Sequence, residues 1–130
     1  MTDTTDPTAT VRRMFAAFSA RDLDALLETV HPDSRWTYVG ANPHLSKAEF
    51  SGGEAVRRFF TRIFERLDMT AFDADEFLVQ GETVVVFGGE AGTVRATGQP
   101  IRDEWVQKYV VRDGLITRMS EYNVQVELRT

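Results

Sequence analysis

The sequence predicts an α+β fold with the shape of a cone, in which three N-terminal helices pack on a curved antiparallel sheet. Two observations carry this prediction. Apolar residues recur at helical spacing in the first half of the chain, and they alternate with a period of two from Met69 onward. The length of 130 residues matches one domain. A curved sheet that wraps around helices leaves a conical cavity at its wide end, lined by alternate residues of each strand.

The N-terminal part of the chain is predicted to hold two helices. Residues 1–7 are polar and acidic and are expected to form a disordered lead before a single domain over 8–130. The first helix has an apolar face at i, i+3, i+4 and i+7. This face comprises Val11, Met14, Phe15 and Phe18. The second helix is short, with Asp22 as its N-cap and Pro32 as its end. Its apolar stripe comprises Leu23, Leu26, Leu27 and Val30.

A short strand and a loop separate these helices from a third one. Residues 35–39 are aromatic and β-branched, which favours a strand, whereas residues 40–53 are rich in glycine and are predicted to be a loop. The third helix has the clearest apolar stripe in the chain. This stripe comprises Val56, Phe59, Phe60, Ile63, Phe64 and Leu67. Arginines fill the other side of the helix and are expected to form a solvated face. They are Arg57, Arg58, Arg62 and Arg66.

Four strands are predicted after the third helix, so that the element order is α-α-β-α-β-β-β-β. They cover residues 70–80, 82–95, 101–112 and 115–127. Turn residues separate them, and Asp113-Gly114 between two alternating runs is a strong signal for a hairpin. Helices that precede a meander of strands are typical of an α+β fold.

Composition excludes several classes of function. Lys and Arg number 15 against 20 Asp and Glu, and the net charge of −5 argues against nucleic acid or an anionic membrane as partner. The lack of cysteine excludes disulfides, a thiol nucleophile and thiolate metal sites. His31 and His44 do not have the spacing of metal ligands, and no phosphate loop or cofactor fingerprint is present. We therefore expect a cytoplasmic protein that uses neither a metal nor a cofactor.

Four segments of the sequence carry a resemblance to a known family. They are FSARDLDAL (18–26), HPDSRW (31–36), GGEAVRRFF (52–60) and VRDGLITRMSEYN (111–123). With the element order, they make residues 8–128 resemble the nuclear transport factor 2-like superfamily, in its SnoaL-like and ketosteroid-isomerase-like branch. The resemblance implies the cystatin-like cone, a ligand cavity and a homodimer through the outer face of the sheet. The fold itself hosts enzymes and non-catalytic binders alike.

The steroid isomerases of this superfamily use residues that this chain lacks. Their general-base Asp matches Tyr38, their oxyanion-stabilising Asp matches Gln107, and their helix-one Tyr matches Met14. Isomerisation of ketosteroids by that mechanism is therefore not expected. The branch that resembles phenazine-biosynthesis proteins has a cavity acid on its last strand, to which Glu121 in Glu121-Tyr-Asn123 is similar. That branch also uses a histidine, for which His44 is the candidate.

The period of two groups the candidate site residues on one face of their strands. Glu121 is the predicted proton-transfer group and Tyr38 its catalytic partner, because a carboxyl group in an apolar wall acquires a raised pKa. Trp36 and Trp105 are predicted to stack against a flat apolar ligand. The other predicted substrate-binding residues are Gln107, Tyr109, Met119, Asn123, Met14 and Phe18.

Several alternatives stay open at this point. Hydrophobicity alone places Tyr122 and Val124 inward and Glu121 in solvent, whereas the family resemblance places Glu121 inward. Asp103 or Glu104 could point toward the cavity mouth, and Arg95 is the strand cation that could meet a buried carboxylate. The protein is then either an isomerase, cyclase or dehydratase acting on an apolar or polyketide-like molecule, or a non-catalytic ligand-binding or protein-interaction domain.

Overall fold

A computed structural model describes residues 6–42 and 45–126 and has three helices and six strands. In chain order they are α1 (Pro7–Ser19), α2 (Leu23–Leu27), β1 (Val30–Asn42), β2 (Leu45–Ser51), α3 (Gly53–Arg66), β3 (Leu67–Gln80), β4 (Thr83–Val94), β5 (Pro100–Arg112) and β6 (Leu115–Gln125). The strands form one curved, unclosed sheet in the order β2-β1-β6-β5-β4-β3, and the helices pack on it. The predicted α+β cone is confirmed. None of the helices in the described ranges is long and apolar enough to cross a membrane.

The sheet is antiparallel except at one position, where β1 and β6 run parallel. The curved sheet is thus mostly antiparallel, as predicted, and the parallel pair is an addition that the sequence did not indicate. A parallel pair needs a long connection between its strands, and the chain between β1 and β6 supplies one through β2, α3 and the first strands of the meander. The periodicity of either strand contains no information about this pairing.

The largest difference from the sequence prediction lies in residues 30–53. The predicted loop over 40–53 contains the end of β1, all of β2 and the residues that lead into α3. Glycines locally favour turns, but pairing of Trp36 with Phe50 along the hairpin outweighs that preference. Pro32 lies inside β1 rather than ending a helix, because it falls where the β1–β6 ladder is interrupted and no backbone N–H is required.

The ends of the other elements follow local rules. The side chain of Asp6 accepts from the backbone N–H of Thr8, and that of Asp22 accepts from Ala25, so the predicted N-cap of α2 is confirmed. Asp113 and Gly114 both have positive φ and close the β5–β6 hairpin. Val30 and Leu67, predicted to belong to helices, instead begin β1 and β3. Residues 1–5 of the predicted lead lie outside the described residues.

The aromatic core fills the space between α1, α3 and the sheet. Phe15 packs edge-on against Phe72 with 5.4 Å between the ring centroids, and Phe18 packs against Phe60 at 5.8 Å. Trp36 meets Phe60 at 5.5 Å from the other side. The apolar stripes predicted for α1 and α3 therefore bury their aromatic rings against one another and against the sheet.

The strand register sorts the side chains into two faces. A row across four strands joins Tyr38, Glu121, Gln107 and Val86 and faces the helices. The neighbouring row joins Val39, Tyr122, Val106 and Phe87 on the opposite face. Tyr122 is 53% exposed and Glu121 only 8%. The inward orientation of Glu121 is therefore the one that the structure adopts.

Candidate functional site

A cavity of about 610 Å³ lies between the inner face of the sheet and helices α1 and α3. This is the size of sites that enclose small organic molecules. The helix residues that line it are Met14, Phe15, Phe18, Ala55, Arg58, Phe59, Phe60, Arg62, Ile63 and Arg66. The strand residues that line it are Trp36, Tyr38, Ala48, Phe50, Leu67, Phe72, Glu90, Asp103, Gln107, Tyr109, Met119 and Glu121. The wall is mainly apolar and rich in aromatic rings, with acidic residues on the sheet and arginines on α3.

Glu121 is held by a short chain of hydrogen bonds along the inner face. The hydroxyl group of Tyr109 donates to Gln107 Oε1 at 2.6 Å, and Gln107 Nε2 donates to Glu121 Oε1 at 2.7 Å. Because the Tyr109 proton can only be accepted by the amide oxygen, this bond orients the Gln107 amide with its N–H₂ group toward the carboxylate. The strand register that places these residues side by side therefore also positions a donor for Glu121.

Asn123 connects Glu121 with a second carboxyl group. Its Nδ2 atom donates to Glu121 Oε2 at 3.3 Å and to Glu90 Oε1 at 3.4 Å. Asp103 is the register partner of Glu90 on the neighbouring strand and also lines the cavity. Three carboxyl groups thus share one end of the cavity, and the lining residues on the sheet include no Lys or Arg among the described positions.

Burial raises the pKa of all three carboxyl groups above their ordinary values. Burial raises the pKa of Glu121 from 4.5 to about 7, against the opposing effect of its hydrogen bonds from Gln107 and Asn123. Burial also raises the pKa of Glu90 to about 8, and the charge of Glu121 adds to the effect. The pKa of Asp103 is raised by burial as well. Near pH 7 the protein can therefore hold and release a proton here.

The two cavity tyrosines remain protonated under the same conditions. Burial, followed by the charge of Glu121, raises the pKa of Tyr38 above its ordinary value. The same two causes raise the pKa of Tyr109. Tyr38 pairs with Glu121 in the β1–β6 register, so a protonated phenol and a carboxyl group lie on neighbouring strands of the cavity wall. Tyr38 can donate a hydrogen bond but cannot serve as a base.

Eight of the ten predicted site residues line the cavity, including the three that match the steroid-isomerase positions, Met14, Tyr38 and Gln107. The other five are Phe18, Trp36, Tyr109, Met119 and Glu121. Trp105 differs from the prediction of a stacking wall, because Phe72 lies against its ring at 5.1 Å and lines the cavity instead. Asn123 likewise holds the carboxyl groups rather than lining the cavity.

Glu90 was missed by the sequence reasoning, although a signal for it exists. It is separated by an even number of residues from Val84 and Val86, which are fully buried on the inner face of β4. Because side chains of a strand alternate between two faces, this spacing predicts that Glu90 also faces inward. Arg95, the strand cation considered as a partner for a buried carboxylate, pairs with Asp68 at 2.8 Å on the surface.

The arginines of α3 divide into two groups. Arg57 pairs with Asp24 at 3.1 Å, outside the cavity. Arg58, Arg62 and Arg66 are exposed as predicted for a solvated face, but they also line the cavity. Their spacing of four residues places them on one side of the helix.

No group of three or more acidic or histidine residues that could hold a metal ion is found in residues 6–42 and 45–126. His31 Nδ1 accepts from the backbone N–H of Asp33 at 3.0 Å. His44, the candidate for a family histidine, lies outside the described residues. The chemistry on the cavity wall is therefore that of carboxyl, phenol, amide and guanidinium groups.

A family model decides the identity of this fold. The model for the SnoaL-like domain matches residues 11–119 of the chain. The chain belongs to the SnoaL-like family. No curated protein sequence matches it.

Solved structures resemble this SnoaL-like chain over most of its length. An NTF2-like protein from Burkholderia xenovorans is 28% identical, with 90% of this chain and 88% of that chain covered and a TM-score of 0.79. TerC, co-crystallised with polyporic acid, is 26% identical, with 89% of each chain covered and a TM-score of 0.77. A Catenulispora acidiphila protein with a ketosteroid isomerase-like fold, in complex with trimethylamine, is 19% identical over 87% of this chain and 83% of that one, with a TM-score of 0.72. The last of these is a likeness of fold.

Proposed function

We propose that this SnoaL-like protein is a cofactor-free enzyme that performs acid–base chemistry on a small apolar or polyketide-like molecule. The observation that carries the proposal is the carboxyl group of Glu121, buried in the wall of an aromatic cavity with a pKa of about 7. A proton-transfer group is most effective when its pKa lies near the working pH. Relatives crystallised with polyporic acid and with trimethylamine support a small-molecule ligand.

In this proposal Glu121 Oε2 removes a proton from a carbon next to a substrate carbonyl. The electron pair of the broken C–H bond forms a C=C bond, and the carbonyl oxygen gains the negative charge. The phenol of Tyr38 donates a hydrogen bond to that oxygen, which stabilises the charge. The proton on Glu121 then passes to another carbon in an isomerisation, or to a leaving hydroxyl group that departs as water in a dehydration.

Glu90 would complete the proton balance. With a pKa of about 8 it is mainly protonated when Glu121 is ionised, and the Asn123 amide bridges the two groups. Two carboxyl groups in contact through one donor resist ionising together, so the pair shares one proton near neutrality. Glu121 would then act as base while Glu90 holds the proton that the product needs.

Ketosteroid isomerisation is not proposed. The positions that match its two aspartates hold Tyr38 and Gln107, and neither side chain can accept a proton at neutral pH. The carboxyl group of this cavity lies instead on β6, where Glu121 pairs with both of those residues in the strand register. The proposed base thus occupies the strand next to the family position.

The test begins with a thermal-shift screen of aromatic and polyketide-like compounds, followed by turnover assays of the compounds that bind. Glu121→Gln keeps the shape of the side chain and an acceptor oxygen for Gln107 but cannot take up a proton. We expect kcat to fall by about 10²–10⁴-fold, the usual contribution of a general acid or base. Glu76→Gln, which changes an exposed glutamate of β3, is the matched control and should leave kcat unchanged. Equal turnover by Glu121→Gln and the wild type would remove Glu121 from the chemistry.

A second candidate is a non-catalytic ligand-binding domain of the same fold. The loss of both steroid-isomerase aspartates favours it, since the cavity is kept while those groups are absent. Compounds that bind to the wild type and to Glu121→Gln with equal affinity and are never converted would favour this candidate.

We also propose a homodimer through the outer face of the sheet. Tyr122 and Val124 are 53% and 65% exposed, and the apolar row of Val39, Val106 and Phe87 continues from Tyr122 across the sheet. Such a continuous apolar surface favours a partner. Glu104 and Lys108 lie two residues on either side of Val106 on this face. A two-fold axis along the apolar row therefore sets Glu104 of one copy opposite Lys108 of the other, which favours a second copy as the occupant.

A further inference from the structure

The cavity is electrostatically polarised. Its acidic groups, Glu90, Asp103 and Glu121, lie on the sheet, whereas every cationic residue of its described lining lies on α3. These cations are Arg58, Arg62 and Arg66, which we call the arginine rim. A ligand that enters the cavity therefore meets positive charge on one side and a proton-holding carboxyl cluster on the other.

Several other arginines are held by partners outside the cavity. Arg57, Arg95 and Arg112 each pair with a carboxylate, and Arg21 donates to the backbone oxygen of Phe64. No member of the rim has an ion pair within the part of the chain that the structure describes. Three such guanidinium groups beside a cavity, in a chain of net charge −5, create a local positive field that attracts anions.

The helix geometry directs the rim toward a bound molecule. Positions 58, 62 and 66 follow one another at intervals of four, so they form a single row on one side of α3. Phe59 and Ile63 lie beside this row and also line the cavity. Charged groups and apolar surface thus alternate along the same flank, which suits a molecule with an apolar body and an anionic end. Guanidinium groups bind carboxylates through two parallel hydrogen bonds.

We propose that the substrate is an organic acid with a ring-containing body, whose carboxylate lies on the arginine rim while its reacting carbon faces Glu121. The substrate class rests on the proposed function, since it concerns the same cavity. Repulsion from the acidic cluster and attraction to the rim act in the same direction, so only one end-to-end orientation is favourable. The rim would thereby position the substrate as well as bind it.

The test compares two probes of nearly equal shape, 2-naphthoate and 2-naphthamide, by titration calorimetry. We expect wild-type protein to bind the carboxylate about tenfold more tightly than the neutral amide. The double variant Arg58→Gln/Arg62→Gln should lose this preference and bind both probes alike, with affinity for the amide unchanged. Arg13→Gln, on the exposed side of α1, is the matched control and should keep the preference. Added salt should weaken binding of the carboxylate alone.

Each other outcome overturns the proposal. A preference for the carboxylate that survives in the double variant would place the anion elsewhere in the cavity. Equal binding of both probes to the wild type, or binding of neither at millimolar concentration, would show that the rim does not select anions. Turnover and its dependence on Glu121 are a separate readout. An anion-selective rim with no effect of Glu121→Gln on kcat would contradict the proposed chemistry and leave the substrate class intact.

Discussion

At the scale of single residues, the properties of Glu121 depend on one side-chain amide. Gln107 donates to Glu121, and Tyr109 donates to the amide oxygen of Gln107, which fixes the orientation of that amide. The ionised form of Glu121 is stabilised by that donation, which opposes the effect of burial on its pKa. Tyr109, two residues from Gln107 on β5, therefore acts on the proposed base through the Gln107 amide.

Tyr109→Phe tests this arrangement. The substitution leaves Gln107 Oε1 buried without its donor, and we expect the free energy of unfolding to fall by about 1–3 kcal/mol. We also expect the pKa of Glu121 to rise further, as followed by ¹³C NMR of its carboxyl carbon. Tyr122→Phe is the control, because the Tyr122 side chain lies on the outer face of the sheet, away from Gln107. If both variants unfold alike and titrate alike, the Tyr109 hydroxyl does not position Gln107.

The raised pKa of Glu121 predicts how stability depends on pH. Between its value of 4.5 in the unfolded chain and about 7 in the folded protein, the folded state binds more protons. Stability is then greatest below this window and decreases as pH rises through it, by on the order of 3 kcal/mol in total. Glu90, Asp103, Tyr38 and Tyr109 surround the group, and the raised pKa of Glu90 extends the decrease toward pH 8.

Denaturant unfolding at intervals between pH 5 and 8 measures this effect. Glu121→Gln removes the titrating group, so its stability should change less across the window than that of the wild type. Parallel profiles for the two proteins would mean that Glu121 titrates normally in the folded state.

At the scale of elements, Gly88 on β4 makes room for the neighbouring strand. A β-carbon at this position would lie 2.5 Å from Trp105 Cη2 and would also meet the backbone oxygen of Asp73. The indole ring can lie over β4 only because residue 88 has no side chain. This placement takes Trp105 out of the cavity wall and leaves that surface to Phe72.

Gly88→Ala is therefore expected to destabilise the protein by about 1–3 kcal/mol, the usual cost of overpacking a core. Gly53→Ala is the control, since a β-carbon at the start of α3 would meet no atom within 4 Å. Unfolding in urea compares the two variants. A Gly88→Ala variant as stable as Gly53→Ala would show that Trp105 and the strands beside β4 accommodate the added methyl group without loss of stability.

Local sequence predicted most elements but not residues 40–53. The stripes of α1 and α3 and the Asp113-Gly114 turn depend on residues close in the chain, and they were found. Strand β2 pairs only with β1, at the edge of the sheet, and no strong periodicity marks it. Its stability comes from pairing with β1 and from Ala48 and Phe50, which lie in the cavity wall. Neither contribution is visible in the local sequence, where the glycine-rich flanks indicate a loop.

At the scale of the whole molecule, the outer face of the sheet sets the expected assembly. For a dimer through this face, sedimentation equilibrium should give a molecular mass twice the 14.7 kDa of one chain. Tyr122→Arg places a charge in the centre of the apolar row and should give monomers in analytical ultracentrifugation. A monomeric wild type at tens of micromolar would contradict the assembly.

The predicted pairing of charges across that interface has a test of its own. Glu104→Lys alone should weaken the dimer by placing like charges opposite each other, and Glu104→Lys with Lys108→Glu should restore it. A double variant as weak as the single one would exclude the proposed direction of the two-fold axis.

The sequence by itself determined the helices, the meander and the grouping of Met119 with Glu121 on one face of β6, because periodicity is a property of neighbouring residues. It also led to the family that residues 11–119 match. Only the tertiary structure decided which face of β6 is buried, since that depends on the elements packed against it. The tertiary structure likewise brought Glu90 to Asn123 from 33 residues away and set the arginine rim opposite the carboxyl groups. Contacts between distant segments arise from chain topology, and hydrophobic pattern alone does not encode topology.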